Sequence, residues 1–93
     1  MYREDIRKID KFKNDLVVGL IKESYLVTKI KIEEIRNNRL EIIITVRKEG
    51  YELYQEYSID LDFIGITSVT AAIIEDINDR FKYKYYKKKI EYK

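Results

Sequence analysis

The sequence predicts an α+β fold of order α-β-β-β-α, a three-stranded antiparallel meander with two helices packed on one face. Three observations carry this. Apolar residues towards both ends recur at steps of three and four, the middle of the chain alternates with period two, and turn-forming residues separate the alternating runs. Ninety-three residues, 45% of them hydrophobic, can close one core, so 1–93 is read as a single domain ending in a basic, Lys/Tyr-rich segment 80–93.

The first helix is predicted from about Tyr2 to Lys22. Ile6, Ile9, Phe12, Leu16 and Leu20 make one stripe, with Val17 and Ile21 alongside and Arg7, Lys8, Lys11 and Asp15 between. Gly19 costs such a helix about 1 kcal/mol relative to Ala, which places a stop near Val18 in competition with the full length.

The period then changes to two. Leu26, Thr28, Ile30 and Ile32 are expected on one face, opposite Tyr25, Val27, Lys29, Lys31 and Glu33. After Asn37-Asn38, Leu40, Ile42, Ile44 and Val46 alternate with Glu41, Ile43, Thr45 and Arg47. After Glu49-Gly50, Tyr51, Leu53, Tyr57, Ile59 and Leu61 alternate with Glu52, Tyr54, Glu56, Ser58 and Asp60. The runs are rich in β-branched and aromatic residues, and Asn-Asn and Gly50 tolerate the positive φ of tight hairpins.

Past a break at Gly65, Thr67 or Ser68 can cap a second helix. Its stripe is Ile66, Val69, Ile73, Ile74, Ile77, Phe81 and Tyr85. Phe81–Tyr85 also alternates with period two, so a fourth short strand competes with the helix there. The layout resembles double-stranded-RNA-binding domains, small nucleoid-associated proteins and some phage-encoded inhibitors. The RNA-binding domains carry a lysine-rich phosphate clamp where this chain reads Gly65-Ile66-Thr67-Ser68-Val69, so the resemblance is one of topology, which does not imply function.

Several chemistries lack their residues. Without Cys there is no disulfide framework, thiolate nucleophile or cysteine-zinc site, and without His the commonest general base and metal ligand are gone. Ser24, Ser58 and Ser68 have no histidine to activate them, and the only Glu-x-Lys spacing of interest is the final tripeptide. No catalytic residue, cofactor or metal is assigned, and a non-enzymatic binding protein is expected. No apolar run reaches the roughly 20 residues of a membrane span, and Met1-Tyr2-Arg3-Glu4-Asp5 is too charged for a signal peptide, so a soluble cytoplasmic protein without membrane contact is expected. Sixteen Ile, thirteen Lys and nine Tyr against two Ala, three Gly and no Pro follow AT-rich codons, as expected of an AT-rich genome, plasmid or virus.

Charge distribution supplies the leading functional expectation. Residues 80–93 hold seven basic residues and one acidic, a net of +6, whereas the other 79 hold twelve and sixteen, a net of −4. Lysines attract phosphates and tyrosine rings accept unstacked bases. Arg80, Lys82, Tyr83, Lys84, Tyr86, Lys87, Lys88, Lys89 and Tyr92 are therefore the expected nucleic-acid contacts. The competing expectation is a protein-interaction module, an inhibitor or accessory factor acting through the sheet's outer face. Its residues are Ile43, Glu52, Tyr54, Glu56 and Asp60. The acidic row invites either a cation or pairing with Lys29, Lys31, Arg39 and Arg47 on the same face. Tyr25, Val27, Ile35, Ile43 and Tyr54 give that face apolar content suited to self-association as a homodimer.

Overall fold

A computed structural model describes residues 3–36, 38–64, 67–83 and 85–91, the side chains of 3–5, 36 and 67 excepted. Its elements run α1 (Arg3–Lys22), β1 (Leu26–Arg36), β2 (Arg39–Lys48), β3 (Tyr51–Asp60), a short 3-10 turn (Leu61–Phe63), α2 (Thr67–Phe81) and β4 (Lys88–Lys89). The fold is α+β as expected, but the sheet has four antiparallel strands rather than three, ordered β1-β2-β3-β4. The break at Gly65 and the residue Ile66 lie outside the described residues. No helix among those described is long and apolar enough to cross a membrane.

α1 runs on past Gly19, where the lack of a side chain leaves room for Ile74 of α2. A methyl at that position would collide with Cδ1 of Ile74, so glycine lets α1 and α2 approach closely. The helix ends in a Schellman motif: Tyr25 N–H donates to the Leu20 carbonyl at 3.0 Å, and Ser24 N–H to that of Ile21 at 2.9 Å. Ser24 takes the left-handed position, φ 69°. The motif turns Tyr25 inward beside Leu20, where it is buried.

A bulge then corrects the expected faces of β1. Val27 pairs with Val46 and Lys29 with Thr45, leaving Thr28 as the extra residue, its hydroxyl donating to the Thr45 carbonyl at 3.2 Å. The extra residue inverts the alternation before it. Val27 consequently joins Ile30 and Ile32 against the core, while Leu26 is 62% exposed on the outer face. Tyr25 and Val27 thus do not belong to the outer apolar group assigned to them from the alternation.

β2 is the central strand of the core, with Leu40, Ile42, Ile44 and Val46 fully buried beneath the helices. α1 packs against β1, α2 against β3, and the helices against each other, which puts both on one face of the sheet. Phe12, Leu16 and Leu20 of α1, Leu53 of β3, and Ile73, Ile77 and Phe81 of α2 complete the core. Each such side chain contributes about 1.5–3 kcal/mol through burial. The β2–β3 hairpin turns on Glu49 (φ 53°) and Gly50 (φ 80°), the two left-handed residues of a type I′ turn.

Candidate nucleic-acid interface

Past Phe81 the C-terminal segment leaves the helix, and its described residues Lys82, Tyr83 and Tyr85 form no strand. α2 stops at Phe81, whose ring is buried against Tyr25 in an edge-to-face pair with centroids 5.3 Å apart. Tyr85, expected to reach the core four residues on, is instead 78% exposed. Turns held by Lys82 N–H on the Asp79 carbonyl, Tyr83 N–H on Arg80 and Tyr86 N–H on Tyr83 carry the chain away from the helix axis. It then returns to the sheet: Lys88 and Lys89 pair with Glu52 and Tyr51, and Ile90 N–H donates to the Gly50 carbonyl at 2.8 Å.

This return anchors the segment and sorts its cations. Arg80 is held inward, its Nε donating to Asp76 Oδ2 at 2.9 Å while its guanidinium lies 5.0 Å from the Tyr86 ring. The hydrogen bond to Asp76, with that residue's charge adding to it, pushes the Arg80 pKa up. Lys87 sits over two rings, 4.3 Å from the centroid of Tyr51 and 4.8 Å from that of Phe81. Lys82 projects outward with only a 3.7 Å contact to Asp79, and Lys88 and Lys89 are exposed. Lys84 and Tyr92 lie outside the described residues.

Between these cations three exposed rings cluster. Tyr83 and Tyr85 are stacked at 5.8 Å, Tyr85 and Tyr86 are tilted at 4.7 Å, and Tyr83 meets Tyr86 edge-on at 6.2 Å. Tyr85 thus stands with Tyr83 and Tyr86 on the surface, although its helical spacing from Phe81 suggested core. A second residue that sequence reasoning passed over is Lys48, which lies 4.7 Å over the Tyr25 ring and donates to the Glu23 carbonyl at 3.0 Å. Lys48, Lys82 and Lys87 line a hollow of about 410 Å³ floored by Tyr25 and Phe81, with Glu23 and Glu49 also in its wall. Burial, with Glu23 and Glu49 adding to it, pushes the Tyr25 phenol up to about 12, and its hydroxyl donates to Asn78 Oδ1 at 2.7 Å.

The outer sheet face collects the other set of residues. Ile43 lies opposite Glu56, Thr45 opposite Tyr54, Arg47 opposite Glu52 and Arg39 opposite Asp60. The acids are largely engaged: Arg47 Nε is 2.8 Å from Glu52, Arg39 is 3.0 Å from Asp60 and also donates to Ser58, and Tyr54 donates to Glu56. That last bond pushes the Tyr54 phenol up. Among the described residues no group of three or more acids is placed to hold a metal ion.

A larger groove of about 530 Å³ runs between α1 and α2, with Phe12, Gly19 and Ile74 in its floor and Lys8, Lys11 and Lys22 among its walls. None of its lining belongs to the C-terminal segment. No protein family, curated protein or solved structure matches this chain.

Proposed function

We propose that this is a small non-enzymatic protein that binds nucleic acid in the cytoplasm through residues 80–93, taking single strands without regard to sequence. The observation that carries the reading is the cluster of Tyr83, Tyr85 and Tyr86, exposed rings set among Arg80, Lys82, Lys87, Lys88 and Lys89. Exposed rings offer faces to unstacked bases while lysines follow the phosphates. Anchoring by β4 supports it further, because a segment already ordered loses less entropy on binding. Among its described residues none belongs to a base-reading motif, so contacts to backbone and ring faces dominate in this reading.

The test is binding to labelled single- and double-stranded DNA and RNA across a salt series. The informative variant is Lys82/Lys88/Lys89→Gln, because these lysines point outward whereas Lys87 packs on Tyr51 and Phe81. For single strands each phosphate contact adds about −0.7 to the log–log salt slope, so the triple variant is expected to flatten the slope by about 2. Tyr85→Ala is expected to weaken binding about five-fold or more without changing the slope, since base–ring stacking is worth roughly 1–3 kcal/mol. An intact chain that fails to bind at low salt ends this reading.

A second reading is supported by the uncovered outer face of the sheet, where Tyr54 stands half-exposed beside Ile43. There the chain is a protein-interaction module, an inhibitor or accessory factor of a mobile element. Replacing Glu52, Glu56 and Asp60 would then abolish partner binding that the lysine variant retains.

A further inference from the structure

β1 ends the sheet, and its outer side pairs with no described element. Ile30 and Ile32 lie on the core face, yet both are only half-buried, whereas their β2 partners Ile44 and Ile42 are fully buried. Bulges at both ends of β1 leave one regular stretch, Lys29–Glu34. Above it, α1 adds apolar surface. Ile6, Val17 and Ile21 lie on the flank of α1 opposite Gly19, which faces α2. Because α1 covers β1 and α2 covers β3, that flank overlooks the open edge. Ile6 is 49% exposed and Ile21 58%.

We infer that this edge pairs with the same edge of a second copy, antiparallel about a two-fold axis at Ile32, so that two four-stranded sheets become one. The charge order fixes the register. On the outer face the regular stretch reads Lys29, Lys31, Glu33. An axis at Ile30 opposes Lys29 to the partner's Lys31, an axis at Lys31 opposes that residue to itself, and an axis at Glu33 does the same with carboxylates. An axis at Ile32 opposes Lys31 to the partner's Glu33 twice and brings the two Ile32 side chains together. Lysines on an open edge guard against pairing; with the axis at Ile32 no lysine meets a lysine, since Lys29 falls opposite the partner's Ile35 and Lys31 opposite a carboxylate, and opposite charges across strands attract. Glu34, exposed at the end of the stretch, falls opposite the partner's Ile30 and keeps its carboxylate in water.

Sedimentation over a concentration series reads the proposal directly. The intact chain is expected to move from 11.3 kDa towards twice that mass as concentration rises. Lys31→Glu should weaken the dimer at least ten-fold, and Lys31→Glu/Glu33→Lys should restore it, because the swap recreates both pairs. Ile32→Cys, in a chain that otherwise lacks cysteine, should oxidise to a covalent dimer. Circular dichroism checks that each variant is folded. An intact chain monomeric at every concentration overturns the inference, and the edge is then open to the strand of another protein. A dimer indifferent to Lys31→Glu, or a folded Ile32→Cys variant that does not crosslink, overturns this edge and register.

Discussion

Gln55 and Tyr57 are the polar residues on the inner face of β3, and α2 meets them with Asp76 and Arg80. The Tyr57 hydroxyl donates to Asp76 Oδ2 at 2.6 Å, and Arg80 Nε donates to the same oxygen. With its amide turned to suit both neighbours, Gln55 accepts from Arg80 Nε at 2.6 Å and donates to the Tyr54 carbonyl. Burial pushes Asp76 up, but the bonds from Tyr57 and Arg80 and the Arg80 charge outweigh it and hold the carboxyl below its usual 3.8. Burial, then the bond to Asp76, pushes Tyr57 well above the usual phenol value, with Arg80 opposing. A carboxylate with a depressed folded pKa stabilises above its unfolded pKa, and that contribution is lost as pH falls through the folded value. Asp76→Asn is therefore expected to cost about 1 kcal/mol at neutral pH, at the low end for a charged hydrogen bond because solvent partly screens the site. Urea denaturation at pH 7 and below pH 4 checks it: the deficit of the variant should shrink in acid, and a constant deficit would count against the ion pair. The cluster had one trace in the sequence, a glutamine where the inward alternation of Leu53, Tyr57 and Ile59 calls for an apolar residue.

Elements were more legible than their ends. β2 reads directly, because both neighbours cover its edges and its alternation runs unbroken from Leu40 to Val46. β1 misleads, because an extra residue at Thr28 leaves composition unchanged while reversing every side chain before it. Gly19 misleads the other way: its propensity argues for a stop, whereas close approach to Ile74 gives glycine a packing reason inside the helix. The true stop is Ser24, a serine in the conformation that glycine usually fills. Left-handed backbone costs a residue with a side chain roughly 1–2 kcal/mol. Ser24→Gly should recover part of that, raising stability by about 1 kcal/mol, since the backbone bonds of Tyr25 and Ser24 to the last helical carbonyls need no side chain. Thermal and urea melts of the variant measure it. An unchanged or lowered midpoint would mean that greater unfolded-state freedom of glycine cancels the gain.

At the scale of the whole molecule, an acidic body carries its own basic segment, and what matters is how firmly the two are joined. Opposite net charge alone would hold them loosely and salt would part them. The contacts are more specific: two residues of β4 on β3, the Ile90–Gly50 hydrogen bond, and Lys87 bridging the rings of Tyr51 and Phe81. This docking was not legible in the sequence, since a two-residue strand after a turn has no periodicity to detect. It divides the lysines into one that holds the segment and others that face solvent, and stability should follow the same division. Lys87→Gln removes a cation from two ring faces at a half-buried position and is expected to cost about 1 kcal/mol. Lys82/Lys88/Lys89→Gln removes three charges from exposed positions and should change stability by no more than about 0.5 kcal/mol. Urea denaturation of both variants gives the comparison, and repeating it in high salt sharpens it, since a cation seated over rings is screened less than one in open solvent. Equal small effects would mean that the segment hangs free and, in the proposed reading, meets nucleic acid unordered. A loss confined to Lys87→Gln means that Tyr83, Tyr85 and Tyr86 are presented on a fixed support, with most of the ordering cost met in folding rather than in binding.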